Sequence, residues 1–530
     1  MSLFRRFVLS FALVTPLLAG DTPTSTPAPA AEVAAIADLL KAGRYAEAEK
    51  AARGELVRIA VPGKMDTAET AKVINLLVEA KWRGGKAKDP EARALAQRSV
   101  GIMERLHGRG SLETAESLSL LGRLSLMGGD YPGARAIFEE VLAIRERLLP
   151  ADDIAVSRTL GNLSSTLRLM GDFDAAAPLA ERSLAIAEQK LDPGDPDLAD
   201  AIGNLAFLEH DRGDFEKARP LYERALAINE KALGPDHVKV AKCLSDFANL
   251  LADTGDNEGA KPLYERALRI AEGALGPTHP DTANYLNNLA IVLQDMGDLA
   301  GARPLYERAL AVYEKALGPD HPKVGLALTN LGSLLYSIGD YSAAQPLFER
   351  ALAIREKTLG SEHIEVAASL SNVAGNLTML GDLKKARRLL DRAVKIKEKA
   401  LGADSANLAY TLHDLAILLR RMGEFTAAEQ TAQRTLAIWT NKLGPDHPLT
   451  AEALGSLAEI RMRTGDYQGA KDLFEQAHAI AEKALGSNHP RVLEGSEQVA
   501  EVDWALGRRD AALEESLRAA AIARENFRQL

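Results

Sequence analysis

Residues 280–318 read PDTANYLNNLAIVLQDMGDLAGARPLYERALAVYEKALG, and this stretch contains a pair of helices with their stop signals. Leu286, Leu289, Ala290 and Leu293 recur at three- and four-residue steps, which lines them along one stripe of a helix, helix A. Gly297 ends it, because glycine enters the left-handed conformation of a position just past a helix without steric cost. Asp298 follows and can cap the next helix by accepting a backbone N–H. Helix B then places Ala302, Leu305, Tyr306, Ala309 and Leu310 on its inner stripe, with the small alanines where two helices approach closely, and stops at Gly318. In the loop Gly318-Pro319-Asp320-His321-Pro322, the second proline suits the first turn of a following helix, where its missing N–H would have had no partner.

The same unit recurs along the chain. Glycines stand at 129, 171, 213, 255, 297, 339, 381, 423, 465 and 507, each 42 positions after the last, and an alanine follows five residues behind every one. Two less regular units precede them. Gly43 and Ala48 keep the spacing, whereas Gly85 is followed by Ala92 seven residues on, so the turn Lys86-Ala87-Lys88-Asp89 holds two extra residues. A fixed period of this length means one supersecondary unit stacked many times. The sequence therefore predicts an all-α solenoid, an α-α superhelix of about twelve helix-turn-helix repeats, with two irregular repeats over 32–110 and ten regular ones over 111–530. Composition agrees: the chain is rich in Ala and Leu, 5% aromatic and 26% charged, which suits helices better than sheets. A formal charge of −10 argues against nucleic acid as a partner, since phosphate binding needs clustered Lys and Arg in excess.

The N-terminus has a different chemistry. Arg5 and Arg6 precede an apolar run from Phe7 to Leu18, followed by a Thr/Pro/Ala stretch. This reads as a signal peptide over 1–20 and a leader over 21–31, and it predicts an exported protein, periplasmic or secreted, from a bacterium. The apolar run is shorter than the roughly 20 residues of a transmembrane helix, so no membrane span is expected after cleavage. Cys243 is the single cysteine, expected as a small buried residue, and no internal disulfide can form.

The pattern Leu286-x2-Leu289-Ala290-x2-Leu293 followed by Ala302-x3-Tyr306 resembles the paired helices of tetratricopeptide repeats. The 42-residue period, with Leu286-Asn287-Asn288-Leu289-Ala290, Tyr306-Glu307-Arg308-Ala309-Leu310 and Gly318-Pro319-Asp320-His321-Pro322, is similar to the kinesin light chain branch of that family over roughly residues 32–527. The resemblance implies that the A helices line a concave groove and that the partner is a protein or peptide.

Four polar ladders recur in register. On helix A, Asn162, Asn204, Asp246, Asn288, Asn330, Asn372 and Asp414 each precede an inward apolar residue, Leu in all but two cases. The resemblance puts this column on or beside the groove, where side-chain amides can pair with the peptide units of an extended ligand. Alternatively the same amides bond a neighbouring helix and space the repeats. Beside the column, the positions Asp200, Phe207, His210, Lys242, Asn249, Asn284, Asn287, Tyr336, Tyr410, His413, Arg420 and Arg421 vary, as an outward surface that reads a partner would. Arg158 and Arg168, and Arg420 and Arg421, are candidate sites for acidic side chains or a C-terminal carboxylate. On helix B, Arg182, Arg224, Arg266, Arg308, Arg350, Arg392 and Arg434, usually preceded by an acid such as Glu223 or Glu307, suit inter-repeat ion pairs. His237, His279, His321, His363, His447 and His489 form the last ladder. Equivalent residues in successive units lie about 8–10 Å apart, too far to share a metal, so these are expected to cap the next A helix or pack in the turn.

No zinc-protease helix, nucleophile elbow, phosphate loop or zinc cysteine pair occurs, so neither catalysis nor a cofactor nor a bound metal is expected. Two readings follow. In one the chain is an exported, non-catalytic scaffold whose groove binds an extended segment of a partner protein. In the other it is the sensing or regulatory array of a two-component enzyme, its caspase-like protease partner encoded separately.

Overall fold

The structure is a computed structural model that describes residues 29–59, 66–86, 89–486 and 490–528. The expected signal peptide, the leader up to residue 28 and His489 lie outside the described residues. The first helix starts at Pro29, within the stretch read as the leader.

Among the described residues every regular element is helical. The helices divide into two compact units that meet in sequence at Asp172 and Phe173. The first holds α1 (Pro29–Lys41), α2 (Tyr45–Ile59), α3 (Ala68–Lys81), α4 (Pro90–His107), α5 (Leu112–Gly128), α6 (Tyr131–Leu148) and α7 (Ile154–Leu169). The second holds α8 (Phe173–Lys190), α9 (Pro196–Asp211), α10 (Phe215–Leu233), α11 (Val238–Asp253), α12 (Asn257–Ala274), α13 (Pro280–Asp295), α14 (Leu299–Leu317), α15 (Pro322–Ser337) and α16 (Tyr341–Leu359). It continues with α17 (Ile364–Leu380), α18 (Leu383–Leu401), α19 (Ala406–Met422), α20 (Phe425–Leu443), α21 (Pro448–Thr464), α22 (Tyr467–Leu485), α23 (Pro490–Ala505) and α24 (Arg509–Arg528).

Each hairpin is built by the local chemistry read from the sequence. Gly297 takes φ +83° after α13, and Asp298 accepts the Gly301 N–H at 2.8 Å to start α14. Leu286, Leu289, Ala290 and Leu293 of α13 and Ala302, Tyr306 and Ala309 of α14 are all buried. In the second unit one continuous apolar core extends from Ala206 to Ile460, because each hairpin leaves an apolar face that only its neighbours can cover. A π-helical segment, Trp82–Lys86, leads into the irregular turn of the first unit, whose residues 87 and 88 lie outside the described residues. Beside it Lys81 is buried and held by Asp89, Glu49 and Glu91, an ion cluster that no repeat pattern announces.

The histidine ladder caps helices. Nδ1 of His237, His279 and His321 accepts the N–H two residues on at 3.1 Å, and His363 and His447 do so at 3.2 Å. Asp195 and Ser405 occupy the equivalent positions elsewhere and make the same bond, so the position requires an acceptor rather than an imidazole. The arginine ladder pairs successive B helices. Arg224, Arg392 and Arg434 each reach the glutamate 36 residues back, Glu188, Glu356 and Glu398, at 2.7 Å. Where the ladder is interrupted by Gln476, the residue 36 back is Thr440, so both charges are absent together. These pairs are half-exposed, and each contributes about 0–1 kcal/mol.

Candidate functional site

Within the second unit successive A helices touch, α13 with α15, α17 with α19 and α19 with α21, and come closer than successive B helices do. That difference places the A helices on the inner side of the curve. Their inner face carries the polar column, and all its members are half-buried: Asn204, Asp246, Asn288, Asn330, Asn372 and Asp414. Asn162 has the same half-buried state on α7 of the first unit.

Lateral bonds tie part of this column to the preceding A helix. The Asn330 amide donates to Asn287 Oδ1 at 2.9 Å, and that of Asn288 donates to Asn249 Oδ1 at 3.4 Å, an acceptor shared with the Tyr264 hydroxyl. Asp246 accepts from Lys242 at 2.7 Å. Asn372 makes no side-chain hydrogen bond among the described residues. The column thus spaces helices where a partner amide lies opposite, and an amide has donors and lone pairs left over after one such bond.

Asp414 and its neighbour have shifted acidities. Burial pushes the Asp414 carboxyl up to about 7 against the pull of Lys397, and burial pushes the His413 imidazole down to about 4. Lys397 belongs to a column beneath the groove. One B-helix position faces the start of the next A helix and holds Tyr313, Arg355, Lys397 and Trp439 in successive repeats. Lys397 is buried and donates to the Asn407 carbonyl at 3.1 Å, while Arg355 donates to Thr329 Oγ1 at 3.2 Å, and burial lowers the basicity of both. These cations carry no local signature, since a lysine among inner-stripe alanines looks like any surface lysine along the chain.

Several residues expected to vary outward do not face outward. Asn287 is 5% exposed, because it accepts from Asn330 and lies between two A helices. His210 is held by Asp253 at 2.9 Å and stacks edge-on against Phe215 and Tyr222. Of the candidate carboxylate-binding arginines, Arg420 is ion-paired with Glu459 at 2.7 Å, and Arg421 donates to the Thr378 carbonyl at 3.2 Å. Arg158 is exposed and Arg168 half-buried on α7. Cys243 is half-buried rather than buried, accepts from Asn229 at 3.3 Å, and burial pushes its thiol up to about 11. Apolar side chains stay exposed on the same A helices: Ile291 on α13, Leu326 and Tyr336 on α15, and Tyr410 on α19, which is 49% exposed and leans on Trp439. The polar column is therefore flanked by apolar footholds. No group of three or more His, Cys, Asp or Glu among the described residues is arranged to hold a metal ion.

The Tetratricopeptide repeat family matches residues 86–147, 126–189, 197–273, 247–315, 281–357, 365–441, 407–461 and 449–525. The chain belongs to the tetratricopeptide repeat family. It is similar to BtubC (BKLC) from P. vanneervenii, with 28% identity over 43% of this chain and 92% of that one and a TM-score of 0.39. A putative kinesin light chain from Podosopora anserina with nearly identical repeats is 30% identical over 39% of this chain and 98% of that one, with a TM-score of 0.35. The apo form of the quorum sensor NprR from B. thuringiensis shares the fold at 14% identity, over 69% of this chain and 99% of that one, with a TM-score of 0.52. No curated protein matches the chain significantly. Among the described residues no helix is long and apolar enough to cross a membrane. The protein is a tetratricopeptide-repeat array with a 42-residue period.

Proposed function

We propose that the protein is an exported scaffold that holds an extended segment of a partner protein along the inner face of its A helices. The observation that carries this reading is the half-exposed amide column Asn204, Asn288, Asn330 and Asn372, flanked by Ile291, Leu326, Tyr336 and Tyr410. An extended chain presents one amide per residue and alternating side chains, so a periodic amide column with apolar footholds matches it in chemistry. Each contact is worth about 0.5–1.5 kcal/mol, so useful affinity needs several at once, which a repeated column supplies. Export rests on Arg5, Arg6 and the apolar run Phe7–Leu18, and N-terminal sequencing of the protein from its host tests it by locating the cleavage. Replacing Asn204, Asn288 and Asn330 together with Ala should abolish capture of partners from a host extract while the helical circular dichroism is retained. Unchanged capture by the folded variant would remove the groove from the function.

A further inference from the structure

The repeats provide an internal control, because a residue that departs from its column has been placed against what the frame needs. Several departures converge between α21, α22 and α23. The inner-stripe position of helix B is Leu184, Leu226, Leu268, Leu310, Leu352, Val394 and Leu436 in successive repeats, and then His478. Both ring nitrogens of His478 are buried without a hydrogen-bond partner, and burial holds the ring towards its neutral form. A buried polar atom left unpaired costs about 1–3 kcal/mol, so packing alone does not account for it.

Three residues on, Trp439 of the preceding repeat is succeeded by Ala481. From α12 to α20 the space beneath successive A helices is filled from helix B by Tyr313, Arg355, Lys397 or Trp439, or from the A helix by Tyr285 opposite Ala271, whereas Ala187 opposite Ala201 is small on both sides. Here Ala481 and Gly495 both line the gap, and the His478 ring lies over Gly495, its Nδ1 2.7 Å from where a Cβ would stand. The result is a cavity of about 290 Å³, at the low end of the ~300–1,000 Å³ of small-ligand sites and suited to a single side chain. It opens between the A helices, and Ser456 and Gln498, the next two members of the amide column, line it.

The wall is acidic. Glu452, Glu459 and Glu494 line the cavity, and Glu459 stands where earlier repeats carry Ser333, Gly375 and Ile417. Glu501 and Glu494 add like charge around Glu459, Arg420 and Arg463 oppose it, and burial with that repulsion raises its carboxyl. Arg420 ion-pairs with Glu459 at 2.7 Å, and among the described lining residues there are three glutamates and no lysine or arginine. His413 lines the opposite side as a neutral ring against Trp439. Carboxylates together with neutral rings are the surroundings that a desolvated ammonium or guanidinium requires.

We propose that this cavity is the anchor pocket of the groove and receives a basic side chain, lysine or arginine, of the bound partner segment; the proposal rests on the groove reading above. Agmatine, a guanidinium without a peptide, is the probe. By saturation-transfer NMR it binds the full-length protein and N288A/N330A alike, and binds E459Q/E494Q about tenfold more weakly, as expected for losing two partly exposed charge contacts. H478L, which restores the leucine of the other repeats, raises the melting temperature and weakens agmatine binding. Peptides selected on the protein from a random displayed library carry Lys or Arg at one fixed position and lose affinity on E459Q/E494Q. Agmatine that fails to bind, or binds E459Q/E494Q as well as the unmodified protein, overturns the proposal, as do selected peptides with no basic position. If agmatine binds the pocket while the Asn204/Asn288/Asn330 variant still captures its partners, the groove reading fails and the cation pocket stands without it.

Discussion

Two glycines six residues apart on one helix should respond to the same added methyl group with opposite signs. Gly375 lies in the middle of α17 in helical conformation, and Gly381 ends that helix at φ +88°. A Cβ built on either meets nothing within 4 Å, so neither substitution creates a clash with the surroundings, and the whole effect is in the backbone. At Gly375 alanine removes the entropy penalty of a helical glycine and should stabilise by about 0.5–1 kcal/mol. At Gly381 the left-handed conformation places Cβ against its own carbonyl, at a cost of about 1–2 kcal/mol. It also strains the turn in which the Asp382 N–H reaches the Leu377 carbonyl at 3.0 Å. The separation between the two variants is thus about 2 kcal/mol, a factor of roughly 30 in an opening equilibrium. Because arrays unfold through neighbour-coupled repeats rather than in one step, hydrogen exchange of peptides from α17 and α18 is the right assay, supported by urea melts. Gly375→Ala should slow exchange there and Gly381→Ala should speed it. Equal shifts in one direction, or a Gly381→Ala variant as protected as the parent, would refute the conformational account of the 42-residue glycine period.

Further outcomes follow from the packing and charge. Gly332→Ala places a Cβ 2.8 Å from Phe348 Cε1 and should destabilise by about 1–3 kcal/mol in denaturant melts, the usual cost of overpacking. Cys243, with its thiol near 11 against an ordinary 9.0, should alkylate with iodoacetamide about a hundredfold more slowly than a free thiol at the same pH, followed by mass spectrometry. His413 and Asp414 should bend the pH dependence of stability in opposite senses. Below its ordinary 6.5 the unfolded chain protonates His413 while the fold does not, down to about 4, so this residue costs stability as pH falls through that window. Between its ordinary 3.8 and about 7 the fold keeps the Asp414 proton that the unfolded chain has released, so stability falls as pH rises there. Thermal melts of His413→Gln should lose the first slope, and those of Asp414→Asn the second.

Much of the frame could be read before any coordinates. Gly297, Asp298, the alanine five residues behind each glycine and the inner stripes of both helices act within one or two turns of chain, and they do so in the structure. The histidine ladder was legible for the same reason, since a cap reaches only two residues on. The arginine ladder was legible as ion pairs but not by partner, because residues 36 apart meet only after two hairpins have stacked. Asn287 was misread as outward because a helical wheel cannot show which A-helix positions the next repeat covers. Lys81 and Lys397 gave no signal at all, their surroundings coming from three separate helices. The pocket at His478 was in principle visible as a break in a leucine column, but its meaning depended on His478, Ala481 and Gly495 coming to line one gap across helices.

The sequence by itself determined the repeating hairpin, its turns and its caps, and with them an all-α array, because those signals are local and each is strong enough to act alone. Tertiary structure decided which polar side chains of the inner face are spent on neighbouring helices and which remain open. It also decided where the packing frame is left unfilled, since both depend on the small offset between stacked repeats that brings residues 14, 36 or 43 positions apart into contact.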